Sequence, residues 1–119
     1  MSRIKWIDHK GKKILYVDYR GLKTTKELIQ TLDESISEEV ASPTKVLVLA
    51  NFAGSFGSTE FMGHLKQVGK EMMPKVQKTA VLGITGAKEI LLNVYLRFTG
   101  DKNIRTFVTE AKALDWLVE

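Results

Sequence analysis

Apolar and polar positions alternate over two short stretches near the start of the chain, Ile4 to Asp8 and Lys13 to Tyr19, separated by His9-Lys10-Gly11-Lys12. A period of two marks half-buried strands, and a glycine in a short polar turn between them marks a hairpin. After Arg20-Gly21-Leu22, Thr24 is followed three residues later by Glu27. This is a capping box, in which hydroxyl and carboxylate each satisfy an amide at a helix start. Leu28, Ile29, Leu32, Ile36 and Val40 then recur at helical spacing until Ser42-Pro43 closes the helix.

Val46-Leu47-Val48-Leu49-Ala50 is apolar without alternation, the signature of a parallel strand covered on both faces. The turn Asn51 to Gly57 leads into a second helix, from about Ser58 to Met73, with Phe61, Leu65, Val68 and Met72 as its buried stripe and Pro74 at its end. Thr79 to Ile84 reads as another parallel strand, and Ala87 to Phe98 as a third helix ended by Gly100. Ile104 to Val108 gives a last strand, after which Thr109 caps a helix bearing Ala113, Leu114, Trp116 and Leu117. The order ββαβαβαβα predicts one α/β domain over residues 1–119. Its sheet is expected to be five-stranded and mostly parallel, with an antiparallel N-terminal edge hairpin, four helices and right-handed crossovers.

Composition narrows the function classes. The 119 residues are 44% hydrophobic and 27% charged and contain no cysteine, which excludes disorder, a disulfide scaffold and thiolate chemistry. The opening residues MSRIKWIDHK carry no apolar h-region, so no secretory leader is read, and no apolar run approaches the ~20 residues of a membrane span. A cytoplasmic protein is the expectation. The net charge of +4 is unevenly spread, with residues 1–23 carrying seven Lys/Arg against two Asp and residues 24–42 one Lys against five acids. A nucleic-acid protein would be more basic, with aromatics interleaved among its cations, and none is expected as partner.

Catalytic constellations are sparse. His9 and His64 stand in no metal-ligand spacing, Gly54 to Thr59 and Gly83 to Lys88 match no phosphate-loop pattern, and no Gly-x-Ser-x-Gly elbow is present. An enzyme built on His64 and Ser58 is the weakest reading, and neither cofactor nor metal is expected. Two other features carry more. The strand ends of a parallel sheet should gather helix N-termini along one rim, here Thr24, Gly57-Ser58-Thr59 and Gly86, where amides and helix dipoles favour anions. Ser58 is the candidate N-cap with an exposed hydroxyl. The third helix is apolar almost all round: Ala87, Ile90, Leu91, Val94, Tyr95 and Phe98 suffice to cover a sheet, and Leu92 and Leu96 lie beyond that arc. Those leucines call for a neighbouring helix, a second copy of the chain or an apolar ligand, with Met62, Met72 and Met73 as an adaptable wall.

The hairpin, the exit Val17-Asp18-Tyr19-Arg20-Gly21-Leu22 and the strand entering a Gly/Ser turn resemble the STAS superfamily. The tail, from Val81-Leu82-Gly83-Ile84-Thr85-Gly86 through Phe107 to Ala113-Leu114-Asp115-Trp116-Leu117, is similar to its bacterial SpoIIAA-like branch. The resemblance implies a β/α superhelix with helices mainly on one side, a fold shared with CRAL-TRIO lipid-transfer domains, and a regulatory or binding role without catalysis. Anti-sigma-factor antagonists of this fold carry an Asp-Ser pair after the third strand, the serine being phosphorylated. Ser58 is the nearest equivalent, with Gly57 where the aspartate would stand and a turn about two residues shorter. Two expectations follow. In the first, the domain docks a protein partner or anionic group at the rim around Gly57, Ser58, Thr59, Thr24 and Gly86. In the second, it carries or senses an apolar ligand between the second and third helices, with Met62, Met72, Leu92, Tyr95 and Leu96 as walls or as a homodimer surface.

Overall fold

The computed structural model describes residues 2–119. Its elements are β1 (Ile4–His9), β2 (Lys12–Asp18), α1 (Thr25–Ala41), β3 (Val46–Asn51), α2 (Thr59–Met72), β4 (Val76–Leu82), α3 (Ala87–Thr99), β5 (Ile104–Phe107) and α4 (Glu110–Leu117). A single 3-10 turn at Met73–Lys75, with Pro74 inside it, links α2 to β4. The five strands lie in the order β1-β2-β3-β4-β5, β1 antiparallel to β2 and every later pair parallel. The ββαβαβαβα order and the mixed sheet are those read from the pattern.

Local chemistry accounts for the joints. Lys10 and Gly11 both take positive φ, 50° and 83°, the paired left-handed conformation of a type I′ hairpin turn that matches strand twist. Thr24 and Ser58 cap α1 and α2 by accepting the amides of Glu27 and Phe61, and Thr109 caps α4 through Lys112. The fourth strand ends at Leu82, two residues earlier than its hydrophobic run suggests. Gly83 turns away with φ 77°, and a Cβ there would lie 2.3 Å from the Ala53 nitrogen, so the chain leaves the ladder where only glycine fits. Val108 is likewise outside β5 and fully exposed.

Each parallel strand presents alternate residues to two faces. Leu15, Val17, Val48 and Ala50 pack with Leu28, Leu32 and Phe61 of α1 and α2. Ile14, Tyr16, Leu47 and Leu49 pack on the other face with Ala113 and Leu117 of α4. Three helices therefore share one side of the sheet, and α4 alone covers the other. Helix α1 lies on β2, whereas α2 and α3 pack chiefly on one another, and α2 also on α1. The α2–α3 pair thus forms an outer layer whose inward side chains, Phe61, Leu65 and Val68 of α2 among them, reach the core on the sheet.

Two helix faces differ from the sequence expectation. In α1 the buried row is Leu28, Thr31, Leu32, Ser35 and Glu39, and Val40 is 60% exposed. In α3 the inward row is Lys88, Leu91, Leu92 and Tyr95, so Ile90 (67% exposed), Val94 and Phe98 face outward. The cause in α3 is the α2 contact. Tyr95 fits against Gly69, where a Cβ would come within 2.2 Å of its hydroxyl, and that fit sets the rotation of a helix whose composition does not.

Candidate functional site

The strand-end rim gathers the three helix starts, as expected. Backbone bonds stitch its turns together: Tyr19 N–H to the Asn51 carbonyl at 2.9 Å, Gly21 N–H to Ala53 at 3.1 Å and Phe56 N–H to Leu22 at 3.3 Å. The hydroxyls of Thr25 and Ser58 are 2.8 Å apart, joining the starts of α1 and α2. A Cβ on Gly57 would touch Leu91 and Ala87, which places α3 against the same turn. Thr59 and Gly86 are exposed beside it.

One rim expectation is corrected. Ser58 does not offer a free hydroxyl: it is only 5% exposed, accepts the Phe61 amide at 3.1 Å and bonds Thr25. Thr24 is likewise committed to the Glu27 amide and carboxylate. These side chains satisfy orphan amides of their own helices. His64 turns to Asp33 of α1 at 3.3 Å, so no hydrogen bond pairs it with Ser58. His9, for its part, meets Asp115 at 2.9 Å.

Beneath the rim, between the sheet and the α2–α3 layer, lies a cavity of about 160 Å³. Val17, Val48 and Val81 form its floor, Leu28, Leu32 and Ile36 of α1 one side, and Phe61, Leu65, Val68 and Met72 of α2 with Leu91, Leu92 and Tyr95 of α3 its roof. Of the residues singled out from the sequence, Met62, Met72, Leu92 and Tyr95 line it together; Leu96 is half-buried and does not. Phe52, stacked on Tyr19 with ring centroids 4.3 Å apart, and Phe56 close the rim end.

Its charged groups are segregated. At the rim end Lys88 donates to the Phe52 carbonyl at 2.8 Å, while Lys23, exposed and outside the lining, donates to the Gly54 carbonyl. Burial, followed by the Lys23 charge, holds the Lys88 ammonium below its usual range. At the opposite end, where α1 and α2 finish and β4 begins, the lining includes Glu39, 6% exposed, and Asp101. Burial pushes the Glu39 carboxyl up to about 7, with the Ser35 hydroxyl offsetting only part of that rise. Burial likewise raises Tyr95 to about 12, helped by the negative charges of Asp101 and Glu39. Tyr19 is raised too, by burial first and Glu39 next.

Sequence reasoning missed Glu39, Lys88 and Asp101. A charged residue on a helix reads as solvated, and the one available signal is the competing row Leu28-Leu32-Ser35-Glu39, which keeps helical spacing with polar members.

Among the described residues no helix is long and apolar enough to cross a membrane. No curated protein matches the sequence. A solved structure of an uncharacterized protein from the DUF3478 family, with a SpoIIAA-like fold, from Shewanella loihica PV-4 is similar at 20% identity and a TM-score of 0.71, over 96% of this chain and 91% of that one. That likeness supports the fold. The family description SpoIIAA-like matches residues 14–118, which spans β2 to α4 and every wall of the cavity. The chain belongs to the SpoIIAA-like family.

Proposed function

We propose that this domain is a non-enzymatic binding module that takes a small apolar molecule into the cavity between the sheet and the α2–α3 layer. The observation that carries this reading is the hollow itself. The hollow of about 160 Å³ is walled almost wholly by apolar side chains, so an apolar molecule entering it would leave water and stabilise the folded chain by mass action.

Size selects the occupant. A cavity of about 150 Å³ accepts one benzene-sized molecule, so a single ring or a short branched chain fits this one. A long acyl chain needs the outer layer to move. Met62, Met72 and Met73 along α2 suit such movement, since unbranched thioether side chains repack at low cost. Occupancy would then be read out as the position of α2 and α3, in keeping with a regulatory role. At the rim the Ser58 hydroxyl, already bonded and buried, is not free to serve as a phosphoacceptor.

The test is ligand-observed NMR and thermal unfolding with ethylbenzene, alongside native mass spectrometry of the purified protein. Saturable binding with a raised midpoint is expected. A clean apo mass together with no response to any apolar probe overturns the proposal.

A further inference from the structure

We propose, on the basis of that cavity reading, that the occupant is a small apolar amine whose ammonium group is held by Glu39. Glu39 is 94% removed from solvent and forms part of the cavity wall. A carboxylate in such a place needs a cation or hydrogen-bond donors to offset its lost hydration. Among the described residues no cation is paired with it. Ser35, one turn earlier, has a single proton, which the Glu39 carboxyl shares with the Leu32 carbonyl 2.7 Å from the same hydroxyl. Lys75, from the turn after α2, donates instead to the Ser42 carbonyl at 3.2 Å. Tyr19, from the turn after β2, Tyr95 of α3 and Asp101 beyond α3 bring phenols and a second acid, and no cation. Helix α2 contributes only apolar groups and Gly69 to this end.

The two ends of the cavity therefore carry opposite charge. An ammonium at the rim end would face Lys88; at the far end it meets Glu39, with the Asp101 carboxylate adding to the same field. Asp101 accepts the Asn103 amide at 2.8 Å through one oxygen, whereas Glu39 is the more deeply buried of the two acids. Volume completes the description, since a body of about one ring fills the space between the two ends. A phenol such as Tyr95 can accept a second ammonium hydrogen.

The experiment compares benzylamine, benzyl alcohol, benzoate and ethylbenzene by NMR titration against the wild-type chain and Glu39→Gln, at about pH 6 and about pH 8. A charge-assisted hydrogen bond is worth about tenfold in affinity or more. Benzylamine is expected to bind about tenfold tighter than ethylbenzene at the higher pH, where Glu39 is ionised, and to lose most of that margin at the lower pH. Glu39→Gln should remove the margin and keep ethylbenzene binding. The proposal is overturned if benzoate or benzyl alcohol binds tightest, or if the amine preference survives in Glu39→Gln. Should that variant not fold, the wild-type pH comparison decides alone: a margin unchanged between the two pH values sinks it. Failure of every probe, ethylbenzene included, refutes the cavity reading and not merely the choice of amine.

Discussion

Ser58 joins two helix starts through one hydroxyl, capping Phe61 and bonding Thr25 in a position closed to solvent. Ser58→Ala should lower unfolding free energy by about 1–2 kcal/mol in urea titration, the loss of a cap plus a hydrogen bond. Ser58→Glu should cost more, because it forces a carboxylate into that closed site; a variant as stable as wild type would show the hydroxyl to be dispensable and the site open. Such caps are legible in sequence, since Thr24 with Glu27 and Ser58 before α2 act over three residues. Glu39 is not legible, because only the docking of α1 decides which of two overlapping rows faces inward. Its consequence is measurable. In the folded state its carboxyl titrates near 7 against 4.5 ordinarily, so between those values the folded chain holds more protons than the unfolded one. Stability should therefore fall as pH rises from about 4.5 to about 7 and level off above, by roughly 3 kcal/mol at most. Glu39→Gln should flatten that slope. Asp18, held low by Arg20, and Asp115, held low by His9 and Lys10, lose their stabilising charge only below this window, as pH falls. Parallel pH slopes in the two proteins would contradict the account.

At the scale of elements, the α2–α3 contact decides what the outer layer can do. Gly69→Ala places a methyl against the Tyr95 ring and hydroxyl, with the nearest ring carbons at 2.9 Å. Overpacking of this kind costs about 1–3 kcal/mol. Tyr95→Phe removes the hydroxyl alone and should rescue part of that loss; a double-mutant cycle with no coupling would mean the helices do not meet there. This pairing also explains why the rotation of α3 was illegible. With Ile90, Leu91, Leu92, Val94, Tyr95, Leu96 and Phe98 in one helix, hydrophobicity permits several orientations, and a glycine on another helix selects one. What remains outside is the row Ile90, Val94 and Phe98, with Lys66 and Lys70 lying over the Phe98 ring.

For the molecule as a whole, strand order follows from short-range signals, whereas the cavity follows from a distance between layers that no local pattern encodes. Strand β3 is buried along nearly its whole length because α4 covers one face and the α1–α3 side the other. That much is written in an unbroken apolar run. The separation of α2 and α3 from the sheet is not, since the same leucines and methionines would suit a filled core. The distinction can be tested by adding atoms. Val48 projects from the centre of β3 into the cavity floor, so Val48→Leu and Val48→Phe extend into existing space. If the space is real, the larger side chains should raise stability by about 0.5–2 kcal/mol, the usual gain from filling a void, and should weaken ethylbenzene binding in step with their volume. If α2 and α3 instead close onto the sheet in solution, both variants should lose about 1–3 kcal/mol to overpacking and no apolar probe should distinguish them from wild type. Thermal unfolding with and without ethylbenzene separates the two outcomes, because only an open layer couples a gain in packing to a loss of ligand.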